Sequence, residues 1–339
     1  MYGCCAAEAQ AAPSCIEAGC CYNDAMQTDS GVTTMPRHFA DRLIEAGRRK
    51  APVCVGLDPV YTRLPSALGA DQEETSASAR VAAITTFCTG VLDAVAPHVA
   101  CVKIQSACFE RYHAPGIEAI GRLVREAKRL NLAVILDAKR GDIGISSEHY
   151  AEAALAPSPY ADIDNGGGAD ALTVNPYLGA DAMEPFLRTA STQGRGLFAL
   201  VRTSNPGSDD LQTLPLADGR AVCDAVADMV RAVGDTEGLV GASGYSLLGA
   251  VVGATKGGDM RRLRERMPRQ IFLVPGFGAQ GGTASDVAAC FRPDGTGALI
   301  TASRSVLYAF ESDGGMDWRA AVANGAARMA TEVVQAVAG

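Results

Sequence analysis

Eight short apolar runs, separated by longer stretches of helical character, constrain the fold of this chain more than any other sequence feature. Each run is continuously hydrophobic rather than alternating, which indicates a strand buried on both faces. Strands that alternate with helices are joined by parallel connections, so eight such units predict a single-domain α/β protein, a (β/α)8 TIM barrel. The runs are Val53–Leu57, Val99–Ile104, Leu132–Leu136, Ala171–Val174, Leu197–Val201, Ala250–Val252, Ile271–Val274 and Ala298–Thr301.

The segment before the first run has two parts. Residues 1–34 are rich in Ala, Ser and Cys and show neither helical nor strand periodicity, so we interpret them as a flexible tail. Behind Pro36, the apolar residues Phe39, Leu43 and Ile44 recur at helical spacing. We therefore expect a tail over residues 1–34 and one barrel domain over residues 35–339, with Met35 as a candidate for the true start.

Charge and composition exclude several classes of partner. The formal net charge of -8 and the pI near 5.1 give no attraction to phosphate backbones or anionic lipid, which argues against nucleic acid as a partner. No apolar run approaches the roughly 20 residues that cross a bilayer, so we expect no membrane association. The odd total of 11 cysteines, without a secretory signal, favours a reducing compartment and a soluble cytoplasmic protein.

Metal ligation is not indicated by the sequence. Cys4-Cys5 and Cys20-Cys21 are vicinal pairs that lack the usual two-residue gap between zinc ligands, and the four histidines have no metal-ligand spacing. We therefore expect no metal site.

Polar side chains follow the apolar runs at the point where each run ends. In a TIM barrel the C-terminal strand ends form the catalytic face, so these side chains are expected to meet in one site. They are Asp58, Lys103, Asp137 with Lys139, Asn175, Arg202 with Ser204, and Arg304.

The densest charged stretch is Asp137–Asp142, directly after the third run. Residues two apart on a strand point to the same side, so Asp137 and Lys139 are expected to share the barrel mouth, where Lys103 reaches them. Alternating charges would keep both lysines protonated, which suits electrostatic and acid roles. Arg140 points away on the same pattern and is expected to form a structural ion pair. If this stretch is considered alone, the alternative interpretation is an ordinary cluster of salt bridges on the protein surface.

Two further stretches predict binding functions. Glycine-rich Pro275–Gly282 follows run seven and Ser303-Arg304 follows run eight, where such barrels hold phosphate with backbone N–H groups and a cation. Ser204–Leu214 has the Asn, Pro, Gly, Ser and Asp composition of a mobile lid. Within this segment, Asp209 and Asp210 are expected to be solvated charges at the tip of the loop.

Taken together, these motifs resemble orotidine 5'-phosphate decarboxylase, in particular its longer bacterial-type branch. The similarity extends from Phe39 to Tyr308. The matching stretches, in order, are Val55–Pro59, Val102–Gln105, Leu136–Gly144, Thr173–Gly179, Arg202–Gly207 and Pro275–Gly282.

The resemblance implies loss of carbon dioxide from orotidine 5'-monophosphate to give uridine 5'-monophosphate (UMP), the last step of pyrimidine nucleotide synthesis, without metal or organic cofactor. Lys139 matches the lysine that protonates ring carbon six, and Asp137 matches the aspartate facing the departing carboxylate. Asp58 and Lys103 match groups that hold the ribose. Asp142 matches an aspartate contributed across a homodimer interface to the neighbouring site.

The remaining matches concern the two ends of the nucleotide. Ser204 matches the pyrimidine-binding serine, while Gln280 and Arg304 match phosphate ligands. Ser303 departs from the glycine that shorter family members have before this arginine, which changes the local phosphate hydrogen bonds but not the cation.

Two alternatives to this reading stay open. A magnesium-dependent phosphosugar decarboxylase shares the Asp-x-Lys-x-x-Asp strand end, although the pyrimidine-loop match at Thr203-Ser204 argues against it. A non-catalytic nucleotide-binding barrel is the other alternative, and the completeness of the charged constellation argues against that one.

Overall fold

The computed structural model describes residues 37–68, 74–254, 257–277, 287–312 and 317–338. Within these ranges eight parallel strands, β1 to β8, close into a barrel in which each strand pairs with the next and β8 pairs with β1. The predicted (β/α)8 fold is therefore confirmed. The predicted tail over residues 1–34, the candidate start Met35 and the predicted phosphate ligand Gln280 lie outside the described residues.

The strands follow the predicted runs closely, with one informative difference. They are β1 Val53–Leu57, β2 Cys101–Gln105, β3 Ala133–Arg140, β4 Ala171–Val174, β5 Gly196–Arg202, β6 Leu248–Val252, β7 Phe272–Pro275 and β8 Ala298–Ala302. The third strand was expected to end at Leu136, but it continues to Arg140 through the charged residues. Hydrophobicity marks only the buried part of a strand, so it misses a strand that extends into a polar site.

Helices follow most strands and cover the outside of the barrel. They are α1 Phe39–Arg49, α2 Ala77–Val95, α3 Ala107–Glu110, α4 Ala114–Arg129, α5 Gly144–Leu155, α6 Ala180–Thr192, α7 Asp209–Gln212, α8 Val222–Gly234, α9 Gly257–Arg266, α10 Arg304–Leu307 and α11 Trp318–Ala338. Their buried apolar faces join the outward faces of the strands in one large core. This packing holds the strand ends, and hence the site, in place.

The helix predicted behind Pro36 is α1, and its apolar residues pack into the N-terminal end of the barrel. The Phe39 ring meets Phe198 edge to face, with ring centroids 6.0 Å apart. A Cβ on Gly196 would lie 2.0 Å from Phe39 Cδ1, so this position requires glycine. Because α1 fills the N-terminal end, the C-terminal end is the one that remains open for a site.

Helix α2 is long and apolar for a barrel helix. By length and mean hydropathy alone, Ala77–Val95 could cross a membrane, although Arg80 and Asp93 keep it from being a continuous apolar run. In the fold the helix buries residues including Ile84, Phe87 and Leu92 in the core. Such burial is typical of a core helix that covers a barrel.

Candidate active site

A cavity of about 780 Å³ opens at the C-terminal ends of the strands. Residues of β2 to β8, Asp58 just after β1 and the loop after β5 converge on it, as the polar strand ends predict. Seven of the nine predicted site residues line the cavity: Asp58, Lys103, Asp137, Lys139, Ser204, Ser303 and Arg304. Asp142 does not line it, and Gln280 is not among the described residues.

A bulge in β3 places the central charged pair. The register between β3 and β4 jumps from Leu136 opposite Leu172 to Arg140 opposite Val174, so three residues of β3 face Thr173 alone. Lys139 within the bulge has φ +48, a left-handed conformation that costs a non-glycine residue on the order of 1 kcal/mol. The predicted neighbourhood of Asp137 and Lys139 is confirmed, but simple strand alternation was the wrong reason for it.

The Asp137 carboxylate lies between two ammonium groups. Its Oδ2 is 2.7 Å from Lys103 Nζ and its Oδ1 is 2.6 Å from Lys139 Nζ. Lys103 Nζ also lies 3.7 Å from Oδ1 of Asp58, the residue directly after β1. The side chains of Asp137 and Lys103 are buried, whereas that of Lys139 is 48% exposed toward the cavity. The chain of alternating charges thus ends in one ammonium that a ligand can reach.

Burial and charge act in opposite directions on these groups. Burial raises the pKa of the Asp137 carboxyl, but the ammonium groups of Lys103 and Lys139 and their hydrogen bonds outweigh it and lower this pKa to about 2. Burial lowers the pKa of Lys103, but the carboxylates of Asp58 and Asp137 outweigh it and raise this pKa above its usual value. Asp137 is therefore a carboxylate and Lys103 an ammonium at neutral pH.

Two residues that the sequence reading left without a role complete the cluster. Thr173 on β4 donates its hydroxyl proton to Asp137 Oδ1 at 2.9 Å and accepts the backbone N–H of Lys139 at 2.9 Å. Gln105 at the end of β2 accepts a hydrogen bond from Lys103 Nζ and donates one to the Asp137 carbonyl, each at 3.2 Å. Both lie in matched motifs, and the available signal in the sequence was a polar residue near the end of an apolar run.

A buried arginine holds the loop that carries Ser204. Arg202, at the end of β5, is 2% exposed and bonds to Asp259 Oδ2 and Ser208 Oγ at 2.8 and 2.9 Å. It also pairs with Asp209 at the start of α7, whose side chain is 52% exposed, so the predicted solvated charge is in addition an ion-pair partner. The predicted lid segment is thus tied to the barrel by this ion pair and by the hydrogen bond of Ser208, because a buried guanidinium requires polar partners.

The end of β8 supplies the cationic side of the cavity. Ser303 immediately precedes α10, and a Cβ on Gly56 of β1 would lie 2.0 Å from its hydroxyl oxygen, so the glycine makes room for this serine. Arg304 is exposed and forms no ion pair with any residue in the described ranges. An exposed guanidinium of this kind can bind an anion at the cavity rim by donating two parallel hydrogen bonds to it.

Asp142 lies beside the cavity rather than in it. Its Oδ1 accepts the backbone N–H of Ile143 at 2.9 Å, and its carbonyl accepts the hydroxyl of Ser147. The neighbouring apolar residues Ile143, Ile145 and Tyr177 are 62%, 67% and 79% exposed. An apolar patch of this kind at a site rim is typical of an interface.

Arg140 forms the ion pair that the sequence predicted, with Glu110 of α3 as its partner. Its guanidinium also lies 5.2 Å from the centre of the Tyr150 ring. No group of three or more His, Cys, Asp or Glu side chains that could hold a metal ion occurs within the part of the chain that the structure describes.

Sequence comparison finds relatives over most of the chain. The profile of the orotidine 5'-phosphate decarboxylase / HUMPS family matches residues 51–311. The chain is 42% identical to the orotidine 5'-phosphate decarboxylase of Rhodopirellula baltica, over 81% of this chain and 90% of that protein. It is 41% identical to the Deinococcus radiodurans protein of the same name, with the same two coverages.

Comparison with solved structures also finds an OMP decarboxylase and a UMP synthase. The chain resembles the Leishmania donovani OMP decarboxylase with a TM-score of 0.68 and 31% identity, covering 89% of this chain and 99% of that one. It also resembles the Leishmania donovani UMP synthase with a TM-score of 0.67 and 32% identity, covering 88% of this chain and 57% of that one.

Proposed function

Because the chain belongs to the orotidine 5'-phosphate decarboxylase / HUMPS family, we propose that its Lys103–Asp137–Lys139 cluster converts orotidine 5'-monophosphate to UMP and carbon dioxide. The enzyme is a carboxy-lyase, and the reaction is the last step of UMP synthesis. The observation that carries the assignment of the cluster is a buried carboxylate bonded to two ammonium groups, one of them open to the cavity.

Lys139 is the group that meets the reacting carbon. When the bond between ring carbon six and the carboxylate breaks, the electron pair stays on a carbon with no adjacent electron sink. A fixed ammonium beside that carbon stabilises the developing charge and then transfers a proton to it. Lys139 fits this role because its side chain is exposed to the cavity while its Nζ is held 2.6 Å from Asp137 Oδ1. The resulting amine regains its proton from solvent.

Asp137 orients the lysines. Its two oxygens each bind a different ammonium, so the carboxylate fixes Lys139 on one side and Lys103 on the other. Repulsion between Asp137 and the substrate carboxylate is a second effect of the same geometry, but orientation requires no strain in the bound substrate.

The rest of the nucleotide binds around this centre. Asp58 and Lys103 lie together at the ends of β1 and β2 and hold the ribose. Ser204, on the loop tied down by Arg202, binds the pyrimidine. Arg304 and Ser303 bind the phosphate, together with Gln280, and these remote contacts supply binding energy for the chemical step.

The working form is a homodimer in which Asp142 reaches the neighbouring site. The support is the exposed apolar patch of Ile143, Ile145 and Tyr177 next to Asp142, which a second copy of the chain would cover. A two-fold interface uses the same patch on both subunits, so both sites are completed together.

The enzyme works in the cytoplasm. All six cysteines of the described ranges are free thiols, and Cys54 and Cys101 lie opposite each other in neighbouring strands without a disulfide. This thiol usage suits a reducing compartment.

A spectrophotometric assay with orotidine 5'-monophosphate, with and without a metal chelator, tests the proposed function. We expect decarboxylation at the same rate in both conditions. Loss of activity in chelator would favour the magnesium-dependent phosphosugar decarboxylase instead. Binding of UMP without release of carbon dioxide from the substrate would favour a non-catalytic nucleotide-binding barrel.

A further inference from the structure

One hydroxyl group touches both halves of the catalytic pair. Thr173 is 1% exposed and lies on β4, directly opposite the bulge of β3. Its Oγ1 donates to Asp137 Oδ1 and accepts from the backbone N–H of Lys139, both at 2.9 Å. A hydroxyl can donate and accept at once, whereas the isosteric side chain of valine can do neither.

The two contacts hold features that are otherwise free to move. Lys139 keeps a left-handed backbone, with φ +48, in a bulge where regular strand pairing is interrupted. Such conformations persist only where the surroundings enforce them. The bond from Lys139 N to Thr173 is a side-chain contact that replaces the missing strand pairing at this point.

The carboxylate is fixed in the same way. Asp137 Oδ2 is set by Lys103, and Oδ1 is shared between Thr173 and Lys139 Nζ. Without the hydroxyl, Oδ1 would be held by the flexible Lys139 side chain alone. Thr173 would then fix neither the Lys139 backbone nor the Asp137 carboxylate, and these are the two features that set the position of the Lys139 ammonium.

We propose that Thr173 is a positioning residue of this active site, whose single hydroxyl fixes the Asp137 carboxylate and the Lys139 backbone together. The proposal rests on the proposed roles of Asp137 and Lys139. It adds a residue that acts on the reacting centre through these two.

The test compares Thr173→Val, which removes the hydroxyl at constant shape, with Thr173→Ser, which keeps it. Misplacement of a reacting group by about 1 Å reduces turnover by roughly 10²-fold, so we expect kcat of Thr173→Val to fall by about that factor. We expect KM and the affinity for UMP to stay close to wild type, and Thr173→Ser to recover most of kcat.

A matched control is available just before β8. Thr296 is also buried, at 6% exposure, and its hydroxyl pairs with Tyr245 Oη at 2.8 Å and with Asp294 Oδ1 at 2.6 Å. Thr296 does not line the cavity, so Thr296→Val removes a buried, hydrogen-bonded hydroxyl away from the site, and we expect it to keep near-wild-type kcat.

The pH profile separates positioning from simple packing. A lost hydrogen bond to a carboxylate raises its pKa, so the acidic limb of kcat should move to higher pH in Thr173→Val and not in Thr173→Ser. The charged groups facing Asp137 are Lys103 on β2 and Lys139 on β3, with Asp58 of β1 behind Lys103, and none of them changes in these variants.

Equal kcat in Thr173→Val and Thr296→Val would overturn the proposal, as would an equal loss in Thr173→Val and Thr173→Ser. If Thr173→Val does not fold, the same comparison between Thr173→Ala and Thr173→Ser decides. Lys139→Ala is assayed alongside: if it stays active, the proposed function fails. If it is inactive while Thr173→Val is fully active, only the role of Thr173 fails.

Discussion

Two ends of this barrel carry the same electrostatic arrangement with different consequences. At the mouth, the buried Asp137 binds Lys103 and Lys139. At the floor, the buried Asp170 lies 3.0 Å from Arg42 and 2.7 Å from Arg195. Each carboxylate is therefore clamped by two cations, and a cluster of charged residues does not by itself identify a catalytic site.

The difference lies in the cations and in what surrounds them. Arg42 and Arg195 also donate to the carbonyls of Gly194 and Gly167, so the floor cluster joins α1 to two loops. Lysines offer a compact ammonium with fewer fixed partners. Both clusters line a cavity, of about 400 Å³ at the floor and about 780 Å³ at the mouth, but only the mouth cluster has a residue with a left-handed backbone, Lys139. The comparison indicates that the floor cluster serves stability and the mouth cluster serves chemistry.

The largest expected effect is on turnover at the mouth. Removing a group that stabilises the transition-state charge reduces kcat by roughly 10³-fold or more, and Lys139 also supplies the proton. We therefore expect Lys139→Ala to abolish measurable decarboxylation while UMP still binds, as measured by calorimetry. Full activity in this variant would remove the distinction between the two clusters.

Complementation between variants tests whether the mouth depends on a second chain. Lys139→Ala and Asp142→Ala should each be inactive as homodimers. Random exchange makes half of the dimers mixed, each with one intact site of two, so we expect about a quarter of wild-type activity after mixing. No recovery after subunit exchange has been verified by native mass spectrometry would contradict a shared Asp142.

The floor cluster should affect stability instead. Asp170→Asn leaves two partly buried arginines without their carboxylate, and breaking such a pair costs about 3 kcal/mol. We expect the urea midpoint of unfolding to fall, with kcat close to wild type under conditions where the variant is folded. If Asp170→Asn kept its stability but had a reduced kcat, the floor cluster would serve catalysis rather than stability, contrary to our expectation.

The smallest expected effect is a pH dependence of stability from Asp137. Its pKa is about 2 in the folded chain against an ordinary value of 3.8, so its contribution is fully present above pH 4 and is lost as pH falls toward 2. The contribution is on the order of 2 kcal/mol. Between pH 4 and 2, wild type should lose unfolding free energy more steeply than Asp137→Asn, and equal slopes would contradict the lowered pKa.

The sequence predicted the barrel because burial on both faces leaves a direct record in eight apolar runs. It also predicted which residues meet at the mouth, since their positions at strand ends suffice for that. It did not predict the bulge at Lys139, because a bulge depends on register with β4 and leaves no hydrophobic signal. The pairing of Arg202 with Asp209 was missed for a similar reason, as composition alone made the loop look solvated.

The floor cluster shows a second limit of sequence reading. Arg42 and Asp170 are 128 residues apart, and nothing local to either residue marks them as partners. Asp170 precedes β4 and Arg195 precedes β5, so both lie at the N-terminal strand ends, opposite the end where the site lies. Long-range ion pairs of this kind become visible only once the barrel closes.

A crystal structure of the enzyme with UMP bound tests the central claim most directly. The account predicts that Lys139 Nζ lies within hydrogen-bonding distance of carbon six of the pyrimidine while it still contacts Asp137. A nucleotide bound with its ring away from this ammonium, and with Lys139 directed to solvent, would contradict it.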